Sequence, residues 1–241
     1  MVKFYESTFS YQYSFPAVTL AYFLRYPNPY SAHVLSTDVI SREIDALGRL
    51  HTIRIHRKRT RLPSAVLQFL PHSVLGSVRG GRSESYILER STIDMKEGWM
   101  RTESRNLDWT GILSVVEKQE YRRQLPPEMN DNDLGVTTGT TGVVTTVIFH
   151  SRLGTRLRAR NTRTSDNAVA EIDEEPKKSF LSKWSTRGIQ QSIEAIASRR
   201  TENQLGKSKE GMVVVLERMR SGGLIAVLEG MRKDREVSTF I

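Results

Sequence analysis

Seven strand-like segments precede one long helical segment, and this order restricts the fold more than any other feature of the 241-residue chain. Strands that follow one another in this way pair as an antiparallel sheet, and the closing helix covers one face of it. We therefore predict an antiparallel α+β domain with a short additional helix at residues 14–26. The predicted strands cover residues 2–13, 35–45, 49–61, 85–93, 99–105, 112–122 and 143–151.

The predicted domain covers residues 1–233, and residues 234–241 form a tail. Its helical part extends from about residue 177 to 220, with a second helix at 224–233. The polar segment 126–135 is predicted to be a loop, and residues 155–176 a flexible insertion rich in Arg, Thr, Asp and Glu. The longest apolar run near the start, residues 15–24, is shorter than a bilayer requires and lacks a basic leader. We expect a soluble chain without a removable signal.

The charge balance favours a negatively charged partner. Lys and Arg number 36 against 27 Asp and Glu, a net charge of +9. Nucleic acid, an anionic membrane and a phosphorylated small molecule all fit this excess. The absence of cysteine excludes disulfides, thiolate metal sites and cysteine nucleophiles.

Residues 49–62 carry six basic side chains and no acidic one. In a strand, alternation places Arg54, His56 and Lys58 on one face. The other face carries Ile53, Ile55, Arg57 and Arg59, so neither face is simply apolar. A solvated strand edge protected against aggregation explains this pattern as well as an anion site does. A surface for single-stranded nucleic acid is a third interpretation, although the expected aromatic residues between the basic ones are missing.

The long helix continues an apolar stripe with polar residues. Ile189, Ile193 and Ile196 share one face, and the same spacing then reaches three polar side chains. Two interpretations stay open: the stripe ends at the surface, where long side chains reach water, or it ends in a partly buried anion site. The three polar residues are Arg200, Gln204 and Lys207.

Nothing in the sequence indicates catalysis. The segment 201–208 has the closing GKS of a phosphate-binding loop, but Thr201 stands where that loop requires glycine. The five histidines are not accompanied by a nucleophile, a paired carboxylate or metal-ligand spacing. We expect a protein that is not an enzyme and that uses no metal and no cofactor.

Several short motifs together resemble the PRELI family of mitochondrial lipid-transfer proteins. The most specific is Arg-Tyr-Pro-Asn-Pro-Tyr-Ser at residues 25–31, followed by His-Val-Leu at 33–35 and Ser-Arg-Glu at 41–43. Further matches are Leu-Pro at 62–63, Arg-Asn-Leu at 105–107, Thr-Gly-Ile at 110–112 and Lys-Ser-Lys-Glu-Gly-Met at 207–212. They follow the order of the family over about residues 2–220.

The resemblance implies a fold similar to START and phosphatidylinositol-transfer domains, in which a curved antiparallel sheet of about seven strands is wrapped around the long helix. It also implies a cavity for one phospholipid, closed by a lid loop. Carried over position by position, the lipid-headgroup residues are Arg25, His33, Arg54, Lys58, Arg200, Gln204 and Lys207. The lid and membrane-contact residues are Leu62, Pro63, Val66, Phe69 and Leu70.

The implied function is transfer of phosphatidic acid, a precursor of cardiolipin, between mitochondrial membranes across the intermembrane space. The implied partner is a small helical-hairpin protein with twin CX9C motifs, bound as a heterodimer, and contact with anionic mitochondrial membranes is transient. The bound phospholipid would be cargo rather than a cofactor. Two alternatives stay open: a phosphatidylserine carrier of the same family, and a basic module that docks on anionic membrane or RNA through residues 49–61 and 152–163 without transferring lipid.

Overall fold

Seven antiparallel strands form one curved sheet. The structure is a computed structural model that describes residues 2–61, 82–108, 110, 113–124, 139–151 and 186–239. The order across the sheet is β1-β7-β6-β5-β4-β3-β2. The α+β prediction and all seven predicted strands are confirmed. The strands are β1 (Val2–Tyr11), β2 (Val34–Ile44), β3 (Leu50–Arg61), β4 (Arg82–Asp94), β5 (Trp99–Asn106), β6 (Leu113–Gln124) and β7 (Thr140–Ser151).

The β2–β3 hairpin is closed by an aspartate that caps its own turn. Asp45 Oδ1 accepts hydrogen bonds from the backbone N–H groups of Leu47 and Arg49, both at 2.9 Å. Gly48 supplies the positive φ of 78° that the turn requires. Such local contacts explain why the sequence around residues 45–49 predicts this hairpin correctly.

A short helical segment connects the two edge strands. Helix α1 (Phe15–Leu24) follows β1, and a 3-10 helix (Pro29–Ser31) precedes β2. Since β1 and β2 lie at opposite edges, the connection between them has to cross the width of the sheet. Pro16 occupies the first turn of α1, where a missing N–H is harmless, and the helix ends before Pro27 as predicted.

Helix α2 (Thr186–Thr239) is broken at Gly222 and Gly223, whose φ/ψ values are not helical. Beyond the break the chain returns beside the part of α2 that precedes it. Two contacts show this: Arg218 pairs with Asp234 at 2.6 Å, and Arg218 lies against Gly230. The second helix predicted at 224–233 is therefore present but continues to Thr239. The predicted boundary of the tail at residue 234 falls inside this helix.

The core lies where α1 and α2 meet the inner face of the sheet. Tyr22 and Phe15 from α1 and Met212 and Leu216 from α2 are almost completely buried. On the sheet, one row of side chains crosses six strands and packs into this core. The row consists of Phe9, Val143, Tyr121, Met100, Ile93 and Leu50.

Three predicted features lie outside the described residues: the lid at residues 62–70, the loop at 126–135 and the insertion at 155–176. Within the described part of the chain, no helix combines the length and apolar character that crossing a bilayer requires.

Candidate functional site

The inner face of the sheet changes from apolar to charged in successive rows. A row of neutral polar side chains lies two residues along each strand from the apolar row. A third row, two residues further along each strand, carries charges. The neutral row is Ser7, Thr145, Gln119, Thr102, Ser91 and Thr52. The charged row is Tyr5, Val147, Glu117, Ser104, Glu89 and Arg54. The candidate site begins at the charged row.

Glu89 is the centre of a buried ion cluster, with a side chain only 1% exposed. Its Oε2 accepts from Arg25 Nη2 at 2.5 Å and lies 3.1 Å from His56 Nε2. Its Oε1 accepts from Arg54 Nε at 2.8 Å and from Arg54 Nη2 at 2.5 Å. Burial would raise the pKa of Glu89, but Arg25, His56 and Arg54 together outweigh burial and hold the pKa below its usual value. Glu89 is therefore ionised and bridges two guanidinium groups.

His56 takes part in this cluster as a neutral ring. Burial lowers its pKa more than the Glu89 contact raises it. Its Nδ1 lies 2.9 Å from the Thr37 hydroxyl and its Nε2 faces Glu89. A proton on Nε2 lets His56 donate to the carboxylate and accept from Thr37, so this tautomer satisfies both contacts.

Arg54 and Arg25 differ in how far their donors are used. All three guanidinium nitrogens of Arg54 donate within the chain, the third to the carbonyl oxygen of Phe23 at 3.2 Å. Arg25 donates to Glu89, while its buried Nε has no partner among the described residues. The Arg25 guanidinium also lies 3.9 Å from the centre of the Tyr22 ring. Arg54 thus belongs to the framework of the site, and Arg25 retains donor capacity.

Three further cationic or titratable side chains lie beside the cluster without hydrogen bonds or ion pairs to described side chains: Lys58, His33 and Lys207. Lys58 and His33 are partly buried, and Lys207 is exposed. Burial lowers the pKa of His33 to about 4, and the nearby charges of Lys58 and Lys207 lower it further in the same direction. Burial likewise lowers the pKa of Lys58, against the opposing effect of Glu117. His33 is therefore neutral near pH 7, and the charges of Lys58 and Lys207 both lie close enough to act on it.

Glu117 is the second carboxyl group on the inner face. It is partly buried and belongs to the same row as Glu89, and no described side chain forms a hydrogen bond or ion pair with it. Burial raises its pKa, while the charges of Arg25 and Lys58 oppose the rise.

The structure brings four of the seven predicted headgroup residues together: Arg25, His33, Arg54 and Lys58 on the sheet side. On α2, Gln204 and Lys207 are exposed, and the charge of Lys207 lowers the pKa of His33. Arg200 lies in α2, but its side chain is outside the described part. The buried face of α2 passes instead through Met212, Val215, Leu216 and Val227. The role of all seven as lipid ligands stays a prediction.

Glu89 and Glu117 are not among the site residues that the sequence predicts. Each shares strand parity with a buried apolar residue, Ile93 on β4 and Tyr121 on β6. The signal for both residues is a carboxylate at a core position of a strand. Such a carboxylate indicates a buried counter-charge in a chain that also places arginines at core positions. The solvated-edge interpretation of residues 49–61 is wrong, because β3 lies inside the sheet between β2 and β4 and buries Arg54 and His56.

The site combines a buried base, in which two arginines share one carboxylate, with the partly buried ammonium of Lys58, which has no ion pair among the described residues. This arrangement suits an anion with several acceptor oxygens, such as a phosphate group. In the described part of the chain, no three His, Asp or Glu side chains gather as metal ligands would.

Comparison with solved structures finds similarity to the Zhui aromatase/cyclase from Streptomyces sp. R1128. The TM-score is 0.45 at 14% sequence identity, and the match covers 93% of this chain and 100% of that one.

The chain is also similar in sequence to curated proteins. "Protein UPS1, mitochondrial" from Saccharomyces cerevisiae is 42% identical over 122 residues, which is 51% of this chain and 65% of that protein. "PRELI domain-containing protein 1, mitochondrial" from Gallus gallus is 36% identical over 105 residues, 44% of this chain and 46% of that protein. The chain thus spans less than two thirds of the length of these relatives.

A family model also matches the chain. The model described as "PRELI-like family" matches residues 16–150, more than half of the chain. This range contains Arg25, His33, Arg54, Lys58 and the two carboxyl groups on the inner face. The resemblance inferred from the motifs at residues 25–43 is confirmed: the chain belongs to the PRELI-like family.

Proposed function

We propose that this protein carries one phospholipid, phosphatidic acid, from one mitochondrial membrane to another across the intermembrane space. The observation that carries the proposal is a group of cationic and titratable side chains, Lys58, His33 and Lys207, that have no ion pairs with described residues and lie next to a buried base organised by Glu89. Family membership supports a lipid-transfer role. The names of the relatives support a mitochondrial location.

The site's charge suits a phosphate monoester. A monoester carries between one and two negative charges near neutral pH, so it gains more from several cations than a zwitterionic headgroup does. A phosphate leaving water loses hydration, and the partly buried ammonium of Lys58 is positioned to replace part of it.

The acyl chains set the second requirement of a carrier. Each CH₂ group left in water costs about 0.8 kcal/mol, so both chains need apolar walls. We expect these walls to include the helix stripe of Ile189, Ile193 and Ile196 and the lid at residues 62–70. No bond is made or broken in this process, so the protein needs no catalytic residue.

The fold also bears on the alternative of a basic surface module. Such a module would use exposed cations of residues 49–61. Arg54 is buried and committed to Glu89, and Lys58 points to the inner face with it. Of the basic side chains of β3, those on the opposite face, such as Arg57, are directed to solvent. This geometry favours an internal anion over a surface partner.

Native mass spectrometry of the full chain tests the proposal. The protein is purified alone and together with a twin-CX9C partner, and its bound mass is measured at low and high salt. We expect one phospholipid per chain, retained at high salt because a buried headgroup is weakly screened. A lipid-free protein whose membrane binding disappears at high salt would overturn the proposal in favour of surface docking.

A further inference from the structure

Glu117 has no role in the framework of the site. Glu89 and Glu117 face inward in the same row, separated by Ser104 on β5. Glu89 is engaged by Arg25, Arg54 and His56, whereas Glu117 has no hydrogen bond or ion pair to any described side chain. Leaving a partly buried carboxyl group without a partner costs free energy, so we look for a role of Glu117 in ligand binding.

The groups around Glu117 define its electrostatic surroundings. The titratable groups coupled to it electrostatically are Arg25 and Tyr26 after α1, Lys58 of β3, Glu89 of β4 and Tyr121 of its own strand. Its partners in the sheet, Ser104 and Val147, do not titrate. Lys207 of α2 acts on His33, and the side chains of residues 186–202 lie outside the described part.

We propose, on the basis of the proposed function, that Glu117 determines which charge state of the headgroup is accepted: its carboxyl group binds the phosphate monoester in the protonated form and donates a hydrogen bond to a phosphate oxygen. Lipid uptake therefore includes one proton on Glu117. An ionised Glu117 would instead repel the phosphate and weaken its binding.

The charge balance of the site supports this role. Among the buried and partly buried groups, Arg25, Arg54 and Lys58 are opposed by the carboxylate of Glu89, which leaves two positive charges when Glu117 is neutral and one when it is ionised. Two positive charges match a doubly charged monoester. The raised pKa of Glu117 has the direction this mechanism needs, because it keeps the neutral form populated closer to neutral pH.

The test is the pH dependence of lipid pick-up by the full chain. Initial rates of phosphatidic acid uptake from phosphatidylcholine vesicles are compared for wild type, Glu117→Gln and Glu117→Asp. Glu120→Gln is the matched control, since Glu120 lies on the same strand but faces outward and pairs with Arg101 and Arg122. Lys58 and the lipid itself also titrate, but they do so in every variant, so the difference between profiles isolates Glu117.

We expect wild type, Glu117→Asp and Glu120→Gln to lose uptake as the pH rises above the pKa of Glu117, by up to about tenfold per pH unit. Glu117→Gln cannot ionise and should keep a flatter profile. Should Glu117→Gln fail to fold, Glu117→Ala removes the same titration and should give the same flattening.

Parallel profiles for wild type and Glu117→Gln, with lipid taken up by both, would overturn the role of Glu117 and leave the carrier function intact. Absence of uptake by every variant at every pH would overturn the carrier function itself, and this inference with it.

Discussion

The Glu89 carboxylate illustrates at the residue scale how two buried guanidinium groups become tolerable. Each of its oxygens accepts from a different arginine, and His56 adds a third partner. A buried charge that loses its partner costs far more than an exposed one, because protein groups cannot replace the lost hydration. Glu89 is consequently the residue on which the geometry of the whole site depends.

Replacing Glu89 with Gln should therefore destabilise the fold strongly. The variant leaves Arg25 and Arg54 buried without a counter-charge, which costs about 3–5 kcal/mol. Glu84→Gln is the control, because Glu84 lies on the same strand and its ion pair with a described residue, Arg57, is exposed. Denaturant unfolding checks the difference, and equal midpoints for the two variants would contradict the proposed role of Glu89.

His33 should make stability depend on pH between its folded-state pKa of about 4 and its ordinary pKa of 6.5 in the unfolded chain. The lowered pKa means that the unfolded chain binds a proton more readily than the folded chain in this window. Stability is therefore complete above the window and falls as the pH drops through it, by about 2 kcal/mol after allowance for the partial exposure of the ring.

Urea unfolding at the two ends of the window, for wild type and His33→Gln, measures this contribution. We expect wild type to lose more stability on acidification than the variant. An identical loss in both proteins would show that the acid sensitivity arises elsewhere.

At this scale the sequence predicts side-chain parity well. Alternation along β3 correctly places Arg54, His56 and Lys58 on one face, because strand geometry is local. It does not predict the counter-charge, since Glu89 lies on another strand and reaches Arg54 only through the β3–β4 register. Pairing between strands is a tertiary property and is not readable from one segment.

At the scale of elements, the approach of α2 to the 3-10 helix explains the Pro-Asn-Pro motif. Asn28 Oδ1 accepts from the N–H of Tyr30 at 2.9 Å, and its Nδ2 donates to the carbonyl oxygen of Arg25. Gly211 of α2 lies directly against this amide: a Cβ there would come within 2.7 Å of Asn28 Nδ2. The motif thus positions Arg25 and receives the helix at the same time.

Gly211→Ala and Gly206→Ala should have opposite effects on stability. Alanine at 211 collides with the Asn28 amide and should cost about 1–3 kcal/mol. Alanine at 206 meets nothing within 4 Å and should stabilise α2 by about 0.5–1 kcal/mol. Thermal melting of both variants checks this pair, and stabilisation by Gly211→Ala would refute the close packing at Asn28.

The elements themselves were predictable where local chemistry defines them. The α1 boundary follows from Pro16 and Pro27, and the first hairpin from Asp45 and Gly48. Helix α2 ends later than the sequence predicts, and Asp234 in this extension pairs with Arg218. Contacts sixteen residues apart fall outside any local pattern.

At the scale of the whole molecule, the connection between β1 and β2 determines where the site lies. The strands β2 to β7 follow one another across the sheet, and β1 pairs with β7 at the far edge. The α1 and 3-10 segment therefore has to cross the sheet, and it delivers Arg25 and His33 to the charged end of the inner face. The order of helices and strands predicted the class of fold, whereas this crossing depends on the pairing of the first strand with the last.

Lipid uptake by Lys58→Gln and Arg57→Gln tests the central claim most directly, because the two residues are neighbours on β3, lose the same charge and face opposite sides of the sheet. An inward phosphate site predicts that Lys58→Gln lowers phosphatidic acid uptake from vesicles roughly tenfold or more, the loss of one charge-assisted hydrogen bond. Arg57→Gln should then retain the wild-type rate. Equal losses in the two variants would contradict an internal site and assign the binding of anions to the outer surface.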